Sequence, residues 1–484
     1  MNALLLTDGY KTGHHQQYPQ GTEEVYSNWT PRSNKYAPKG CDKVVSFGQQ
    51  YVMKWLHNYF HQNFFRKPKA EVCNEIREEL SLYLNTDYDV SHFEELHDLG
   101  YLPIRVKSLP EGTEVNIRVP MLTVVNTRKE FYWVTNFLET ILSTMLWQPM
   151  TSATIALNYK RIFTKWAKQT DVENIGFVDF QGHDFSMRGM GGLQSAQSSG
   201  MGHGAVFLGS DTLPAIAGLR RYYNAQDFVL GSVNATEHSV MCAGTKNDEI
   251  GTFKELMKTY PTGILSVVSD TWDLWKVITE YLPKLREDVL GRDGKLVIRP
   301  DSGDPVDIIC GEDRKLGGNS PQDKGVIELI WELFGGTTNP QGYKVLNQHI
   351  GAIYGDSITT ERAEQICQRL HEKGFASTNV VLGIGSFTYQ FNTRDTFGFA
   401  MKATSVVVNG ERREIFKDPI TDDGVKKSAK GLVRVDELDG EYILVDQVSE
   451  EEEKKGSLEI IYENGEFKKN VEMNEIRARI NANV

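Results

Sequence analysis

Short apolar runs that end abruptly in polar turn residues recur through the middle of the chain. The clearest is 295–305, KLVIRPDSGDP, in which three aliphatic residues are followed at once by Arg299, Pro300 and Asp301. Such a run predicts a strand that is buried on both faces, with the charged residues at the edge of the sheet. Because α/β enzymes keep their chemistry at the carboxyl ends of parallel strands, the pattern indicates functional side chains at this edge.

Seven runs of this type alternate with helical stretches. In the stretch 359–373, for example, apolar residues recur on one helix face at Ala363, Ile366 and Leu370. Strands that alternate with helices predict a parallel sheet with crossover helices, and about seven such units predict an (α/β) barrel. The predicted strands are 174–180, 204–208, 229–235, 263–269, 295–299, 349–354 and 379–384.

The two ends of the chain carry a different pattern. Residues 1–150 mix helical stretches with strands broken at prolines and glycines, and the chain after residue 385 is strand-like with Asn-Gly and Asp-Gly turns. We expect an α/β fold with a barrel over 151–385 and a strand-rich α+β domain built from 1–150 and 386–484. The acidic run 450–453 is interpreted as a solvated loop. The predicted helices are 47–60, 69–84, 131–147 and 151–168, and the predicted strands lie within 104–125 and at 403–409, 432–435, 441–446 and 458–462.

Composition narrows the class of protein. The 484 residues are 40% hydrophobic and 24% charged, which is ordinary for a globular protein. A net charge of −12 argues against a protein whose main partner is a nucleic acid backbone. The five cysteines never form a CxxC pair, the first residues lack a basic signal-peptide start, and no apolar run could span a bilayer. We therefore expect a cytoplasmic protein without a zinc site, a membrane or a nucleic acid partner.

The residues that follow the predicted strands are rich in functional groups. In a parallel barrel these side chains converge on one rim, although they are far apart in sequence. Together they supply acids, arginines, an imidazole, an aromatic ring and glycines. In chain order they are His183, Asp184, Phe185 and Arg188, then Ser210 and Asp211, Glu237 and His238, Ser269 and Asp270, Arg299 and Asp301, Gly355 and Asp356, and Gly383, Gly385 and Ser386.

Each of these residue types also has a structural explanation. An aspartate after a strand is commonly the N-cap of the next helix. A histidine such as His238 is often a packed, hydrogen-bonded side chain, and Phe185 can belong to the core or can stack on a planar ring. The glycines before Ser386 can form a tight turn, or a backbone that approaches a phosphate at a helix start. The residues alone predict a barrel enzyme for a phosphorylated, hydroxyl-rich substrate beside a flat ring, and they do not fix the reaction.

The same segments resemble the nicotinamide phosphoribosyltransferase family of type II phosphoribosyltransferases. The similarity runs in order over nearly the whole chain. It implies transfer of phosphoribose from phosphoribosyl pyrophosphate to nicotinamide, giving nicotinamide mononucleotide and pyrophosphate in NAD salvage. It further implies a homodimer with composite active sites, a requirement for Mg²⁺, and ATP hydrolysis coupled to phosphorylation of a histidine. The matching segments are TDGYKTGH (7–14), HDFSMRG (183–189), GSDT (209–212), EHS (237–239), SVVSDTWD (266–273), LVIRPDSGDP (296–305), GDS (355–357) and TRD (393–395).

The resemblance also implies residue roles. Phe185, and Tyr10 from the other subunit, would sandwich the pyridine ring, while Asp211 would accept the amide N–H with Arg299 nearby. A carboxylate in that place accepts a hydrogen bond from an amide and repels a carboxylate, so it would select nicotinamide over nicotinate. His238 would be the phosphorylated histidine. Around the ribose, its 5′-phosphate and the magnesium pyrophosphate the resemblance places Arg188, Asp270, Asp301, Gly355, Asp356, Gly385 and Ser386, and it gives nucleotide and pyrophosphate contacts to Arg32, Arg394, Lys402 and Lys417.

The chain departs from the family pattern at 383–387, GIGSF, where the family has a longer glycine run, so a serine contact would replace one backbone contact to phosphate. Two other functions share parts of this prediction. A nicotinate phosphoribosyltransferase would use the same phosphate-binding residues. A non-catalytic nucleotide-binding protein of the same fold would not need the combination of His238, Asp270, Arg299 and Asp301.

Overall fold

The computed structural model describes residues 1–312, 318–417 and 429–484. The chain forms two compact units. One contains 1–154, 218–225 and 392–483, and the other contains 155–217 and 226–391. The domain boundaries expected from sequence, at 150/151 and 385/386, remain predictions.

Strands are numbered in chain order. They are β1 Thr22–Thr30, β2 Lys43–Val45, β3 Ile104–Ser108, β4 Glu114–Asn116, β5 Leu122–Asn126, β6 Gly182–Asp184, β7 Gly209–Ser210, β8 Asn234–Ala235, β9 Thr262–Val268, β10 Asp293–Arg299, β11 Gly336–Thr338, β12 Lys344–Leu346, β13 Ile350–Tyr354, β14 Val380–Ile384, β15 Ala400–Val408, β16 Glu411–Glu414, β17 Leu432–Leu438, β18 Glu441–Val448, β19 Glu459–Glu463 and β20 Glu466–Phe467.

The α-helices are numbered in the same way. They are α1 His14–Gln17, α2 Gln49–Phe60, α3 Lys69–Leu84, α4 Ser91–Leu99, α5 Val134–Thr170, α6 Val178–Gln181, α7 Leu193–Gly204, α8 Leu213–Tyr223, α9 His238–Ala243, α10 Glu249–Thr259, α11 Leu274–Lys276, α12 Leu282–Gly291, α13 Pro305–Cys310, α14 Pro321–Phe334, α15 Thr360–Glu372, α16 Ser386–Tyr389, α17 Glu450–Glu453 and α18 Met473–Asn481.

The unit that contains both chain ends is built on an antiparallel sheet. Its strand order is β16-β15-β1-β5-β3-β19-β20, so strands from the two ends of the chain pair with one another. The Asn-Gly and Asp-Gly turns close hairpins as predicted, because Asn409, Gly410, Asp439 and Gly440 all have positive φ. The strand-rich α+β character expected for these segments is confirmed.

The other unit carries seven parallel strands in the order β7-β6-β14-β13-β10-β9-β8. Its two edges meet through a parallel bridge between Gly209 and Gly231, where Ser210 N donates to Gly231 O at 2.9 Å. Helices alternate with the strands, as the sequence pattern predicts. The predicted parallel α/β architecture is confirmed, and all seven strands direct their carboxyl ends to one rim.

Two of the predicted strands are wrong in position. Residues 174–180 form a 3₁₀ turn over Val172–Phe177 and then α6, and the strand follows at β6. Ile175 and Val178 are three residues apart, which is helical spacing. A short apolar run often does not distinguish a helix from a strand. Residues 204–208 are not a strand but the end of α7 and the turn after it, where the amides of Val206 and Phe207 both donate to His203 O at 2.9 Å. The strand follows at β7 and is only two residues long.

The helices predicted at 131–147 and 151–168 are one helix, α5, with Pro149 in its interior. Proline normally ends a helix because it lacks an N–H and crowds the preceding turn. Here Thr151 and Thr154 donate their hydroxyls to Trp147 O and Met150 O, both at 2.7 Å, so the turns around the proline stay hydrogen-bonded.

The acidic run at 450–453 is not a solvated loop. It is the single turn α17, capped by Ser449, and its last residue, Glu453, is buried. The Glu453 carboxylate lies 3.0 Å from Lys107 Nζ and 3.4 Å from the Tyr26 hydroxyl. A buried carboxylate requires such partners. No helix within the described ranges is long and apolar enough to cross a membrane.

Candidate active site

Helix capping does not account for three of the aspartates at the barrel rim. Asp273 caps α11, Asp304 caps α13 and Thr359 caps α15, each by accepting from backbone amides of the first turn. Each cap lies three residues after a predicted site residue, namely Asp270, Asp301 and Asp356 in turn. The structural explanation left open by the sequence is therefore met by other residues, and these carboxylates are available for other contacts.

Asp211 follows β7 and is held by two side chains. Nε2 of His183 donates to Asp211 Oδ1 at 2.9 Å, and the Ser232 hydroxyl donates to the same oxygen. Partial burial alone would raise the pKa of Asp211, but the two hydrogen bonds together with the electrostatic effects of His183 and Arg299 hold the pKa below the ordinary aspartate value of 3.8. Asp211 is therefore an ionised acceptor at neutral pH.

Phe185 comes directly after β6 and lies beside the same histidine. The ring centroids of His183 and Phe185 are 4.6 Å apart, at an interplanar angle of 39°. The backbone of Phe185 donates to Ile384 O on β14 at 3.0 Å. Gly383 gives the aromatic ring its space, because a Cβ at this position would lie 2.6 Å from Phe185 Cδ2. Asp211 and Phe185 are thus brought together through one imidazole.

Arg299 is the last residue of β10 and lies among the rim carboxylates. It interacts electrostatically with Asp301, Asp211 and Asp270, while its Nη2 donates to Thr236 O at 2.7 Å. Its Nε is buried and has no hydrogen-bond partner within the described residues. A buried guanidinium N–H without a partner is suited to receive an acceptor from a ligand. Arg188, in the 3₁₀ turn Met187–Gly189, is exposed and contributes a second positive charge to the field at Arg299.

Asp270, Asp301 and His238 form a second group on the rim. Oδ2 of Asp270 accepts from Asp301 N at 2.9 Å and from the Ser302 hydroxyl at 2.6 Å. Nε2 of His238 lies 4.0 Å from Asp270 Oδ1 and 3.7 Å from Asp301 Oδ2, at the start of α9. The histidine is half-exposed, whereas the Asp270 side chain is only 5% exposed. This group therefore places an accessible imidazole against two carboxylates.

The glycines at the rim make room for side chains. A Cβ on Gly355 would lie 2.7 Å from Asp301 Oδ1, and one on Gly189 would collide with the Ser386 hydroxyl. Asp356 accepts from Ser357 Oγ at 2.6 Å. Around Gly385 a Cβ would meet open space, and the helix that follows, α16, is only four residues long. The close approach of Asp301 thus explains why a glycine occupies position 355. Gly385 borders open space at the rim, and the Ser386 side chain lies against Gly189.

The remaining predicted residues lie in the unit that contains the chain ends. Lys402 interacts electrostatically with Glu139 and with Arg32, Arg394 and Lys11, so the structure collects these basic side chains in one region beside a carboxylate. Arg32 Nε donates to Gly398 O at 3.0 Å. Lys417 is exposed after β16, and Tyr10 is 66% exposed near the beginning of the chain.

Sequence reasoning missed two residues that hold the site. The sequence pattern places His183 at a strand end without giving it a role, and it does not distinguish Ser232 from other polar residues. A signal for His183 existed, because it stands two residues before Phe185 and alternate residues of a strand share a face. Ser232 carried no such signal, since its contact with Asp211 depends on closure of the barrel at Gly231.

The rim fits a magnesium ion that is shared with a substrate. Within the described residues, no three acidic, histidine or cysteine side chains cluster as a metal site. Mg²⁺ is commonly bound by one or two carboxylates together with substrate phosphates. Asp270 Oδ1 is buried and has no hydrogen-bond partner in the described part of the chain, and Asp301 lies beside it. Such a pair suits a cation that arrives with phosphate oxygens.

Comparison with known sequences shows the family of the chain. Residues 180–469 match the model of the nicotinate phosphoribosyltransferase family, and residues 2–106 match the model of the nicotinamide phosphoribosyltransferase N-terminal domain. A relative from Acinetobacter baylyi named nicotinamide phosphoribosyltransferase is 49% identical, with 99% of this chain and 97% of the relative covered. One of the same name from Mycoplasma pneumoniae is 34% identical, over 87% of this chain and 92% of the relative.

Solved structures support the fold. Human nicotinic acid phosphoribosyltransferase matches with a TM-score of 0.58 at 16% identity, covering 98% of this chain and 93% of that one. A nicotinate-nucleotide pyrophosphorylase from Pyrococcus furiosus matches with a TM-score of 0.55 at 17% identity, covering 99% and 94%. With the family matches and the near full-length relatives, these findings show that the chain belongs to the nicotinamide phosphoribosyltransferases of the nicotinate phosphoribosyltransferase family, and is an enzyme of phosphoribosyl transfer in NAD biosynthesis.

Proposed function

We propose that this enzyme transfers phosphoribose from phosphoribosyl pyrophosphate to nicotinamide, in preference to nicotinate. The observation that carries the proposal is the ionised Asp211 beside the Phe185 ring, both in contact with His183. A carboxylate accepts a hydrogen bond from the carboxamide N–H and repels the carboxylate of nicotinate. Phe185 gives the flat pyridine ring a face on which to stack.

The reaction forms a bond between the pyridine nitrogen and C1 of ribose while the bond from C1 to pyrophosphate breaks. Positive charge develops on the sugar and ends on the pyridinium ring. Asp270 and Asp301 would face the ribose and stabilise that charge, and Arg299 and Arg188 would hold phosphate or carbonyl oxygens. Mg²⁺, carried with pyrophosphate and held by Asp270 and Asp301, would neutralise the leaving group.

We further propose that ATP stimulates this reaction by phosphorylating His238. The half-exposed imidazole is accessible to a nucleotide, and the carboxylates of Asp270 and Asp301 lie within 4.0 Å of its Nε2, where they can orient the ring. The phosphoryl group would pass from ATP to the ring nitrogen, releasing ADP. Arg32, Arg394, Lys402 and Lys417 would bind nucleotide and pyrophosphate oxygens, since the first three contribute to one basic region. Gly355, Asp356, Gly385 and Ser386 are proposed for the ribose 5′-phosphate side.

The proposed assembly is a cytoplasmic homodimer in which Tyr10 of one subunit covers the ring stacked on Phe185 of the other. Its support is that the Tyr10 side chain is largely exposed and is therefore available to a second chain. Mixing Tyr10→Ala chains with Phe185→Ala chains tests it. Half of the random dimers would then contain one intact site, so activity should recover to about a quarter of the wild-type value. No recovery after subunit exchange would contradict the shared site.

Two assays test the chemistry. Turnover with nicotinamide, nicotinate and quinolinate should favour nicotinamide, and equal or better use of nicotinate would contradict the amide selection and favour a nicotinate phosphoribosyltransferase. Incubation with ATP labelled on its γ-phosphate should give an acid-labile phosphohistidine that is lost in His238→Ala. Absence of phosphorylation and of turnover, with ligand binding retained, would indicate a nucleotide-binding protein instead.

A further inference from the structure

His183 has no role in the proposed chemistry. It lies where the two edges of the parallel sheet meet. In the parallel register of β6 and β7, His183 pairs with Gly209, and Gly209 also forms the bridge to Gly231 that joins the two edges of the sheet. Asp211 lies two residues after Gly209, and Ser232 directly follows Gly231. Asp211 is therefore flanked by two hydrogen-bond donors, His183 from β6 and Ser232 from the segment beside the Gly231 bridge.

Both donors go to the same oxygen atom. Nε2 of His183, 2.9 Å away, and the Ser232 hydroxyl bind Asp211 Oδ1. A carboxylate oxygen with two donors has little remaining capacity for a third, so a further donor is directed to Oδ2. Because a carboxylate only accepts, Nε2 of His183 must carry the proton in this bond. The His183 side chain is 11% exposed, which restricts its movement, whereas Asp211 is 42% exposed and open to a ligand.

We propose that His183 is the positioning residue that sets substrate specificity, by holding Oδ1 of Asp211 so that Oδ2 faces the substrate carboxamide. This inference rests on the proposed function, and it adds how the amide acceptor is oriented. The same imidazole touches the Phe185 ring, so it fixes the stacking surface and the acceptor relative to each other. Gly209 is required for this arrangement, because a Cβ there would lie 2.8 Å from His183 Nδ1.

The first test compares His183→Leu with His183→Gln. Leucine keeps bulk and removes the donor, whereas the glutamine amide can donate from near the position of Nε2. Since a hydrogen bond to a charged group contributes roughly tenfold or more, His183→Leu should raise KM for nicotinamide about tenfold and lower the preference over nicotinate by a similar factor. KM for phosphoribosyl pyrophosphate should not change, and His183→Gln should recover most of the preference.

A variant that leaves His183 in place gives an independent check. Gly209→Ala should displace the imidazole and reproduce the His183→Leu phenotype, while Gly291→Ala, where an added Cβ meets open space, should not. Equal impairment by His183→Leu and His183→Gln would show that the residue acts by packing alone. An unchanged preference in His183→Leu would contradict the inference outright.

A measurement without substrate separates this inference from the proposed function. Histidine ¹⁵N spectra of the ligand-free protein, with His183→Gln for assignment, should show His183 protonated at Nε2 and its signal shifted by Asp211→Asn. The inference would be overturned if the His183 signal did not shift in Asp211→Asn, or if only Nδ1 of His183 carried a proton. Either result would hold whether or not the enzyme uses nicotinamide. Failure of the wild-type enzyme to use nicotinamide would instead refute the proposed function.

Discussion

Two carboxylates on the barrel rim are held by different sets of hydrogen bonds. Asp211 keeps its Oδ1 occupied by two side chains, His183 and Ser232, and its own side chain is 42% exposed. Asp270 keeps its Oδ2 occupied by a backbone amide, that of Asp301, and by the Ser302 hydroxyl, and its side chain is only 5% exposed.

The difference separates recognition from chemistry. The orientation of Asp211 depends on two side chains, so a single substitution can change it. We therefore assign Asp211 to the choice between substrates. Asp270 is buried and is held by a backbone amide and a hydroxyl of the loop after β10, so its carboxylate keeps its place. We therefore assign Asp270 to charge stabilisation at ribose, where small displacements are costly. Both leave one oxygen free of those bonds for a ligand.

The largest effect is expected at Asp270. Asp270→Asn removes the buried charge that we assign to the ribose side, and kcat/KM should fall about 10²- to 10³-fold, which is typical for loss of a preorganised electrostatic group. Steady-state turnover of nicotinamide measures this. The matched control is Asp273→Asn, at the N-cap three residues later, where asparagine also caps and activity should persist. An equal fall in kcat/KM in the two variants would show that Asp270 has a structural role and not a catalytic one.

Asp211→Asn should change selectivity more than rate. Removing the charge removes the repulsion of nicotinate, so the preference for nicotinamide should drop on the order of 100-fold, mainly through KM. The ratio of kcat/KM for the two substrates reports it, and Asp304→Asn, at the cap of α13, is the control. If Asp211→Asn kept the preference for nicotinamide, Asp211 would not be the residue that selects the substrate.

Gly383→Ala probes the stacking surface beside Asp211. The added methyl would lie 2.6 Å from Phe185 Cδ2, so the ring must move. We expect KM for nicotinamide to rise about tenfold, as for a misplaced binding group, with KM for phosphoribosyl pyrophosphate little changed. Gly291→Ala, where the Cβ meets open space, controls for the loss of glycine. A rise confined to phosphoribosyl pyrophosphate would place Gly383 on the phosphate side instead.

The smallest effect concerns pH. The pKa of Asp211 is lowered below 3.8, so its charged form, and the stabilisation by its two hydrogen bonds, are present above that value and are lost only as pH falls through the lowered pKa. The nicotinamide preference of the wild-type enzyme should therefore stay flat between about pH 6 and 8. Substrate-competition assays across this range measure it. A preference that decays toward pH 6 would mean that Asp211 titrates there.

The fold was predictable where strands are apolar and long enough. The runs at 263–269, 295–299, 349–354 and 379–384 coincide with β9, β10, β13 and β14 to within a residue or two. β6 and β7 have the sequences Gly-His-Asp and Gly-Ser, which carry no strand signal, and they are strands because their neighbours pair with them. Tertiary context overrides local preference in such short segments.

The site was predictable as a set of residues, because polar side chains after apolar runs reach one rim even when a strand is misplaced by several positions. The reasons for individual residues were not. Gly383 does lie close to another backbone segment, since a Cβ there would be 3.0 Å from Gly355 Cα. Gly355 and Gly383 also make room for the side chains of Asp301 and Phe185, and only the spatial neighbours reveal this. The roles assigned to the residues remain predictions.

The central claim is that Asp211 and Phe185 bind the carboxamide and ring while Asp270 and Asp301 face the ribose. A crystal structure with nicotinamide mononucleotide tests it most directly. We predict the pyridine ring stacked on Phe185, with Tyr10 of a second chain on its other face, and the amide nitrogen about 3 Å from Asp211 Oδ2. A mononucleotide bound away from Phe185, or with its carboxamide directed to Asp270, would contradict the account.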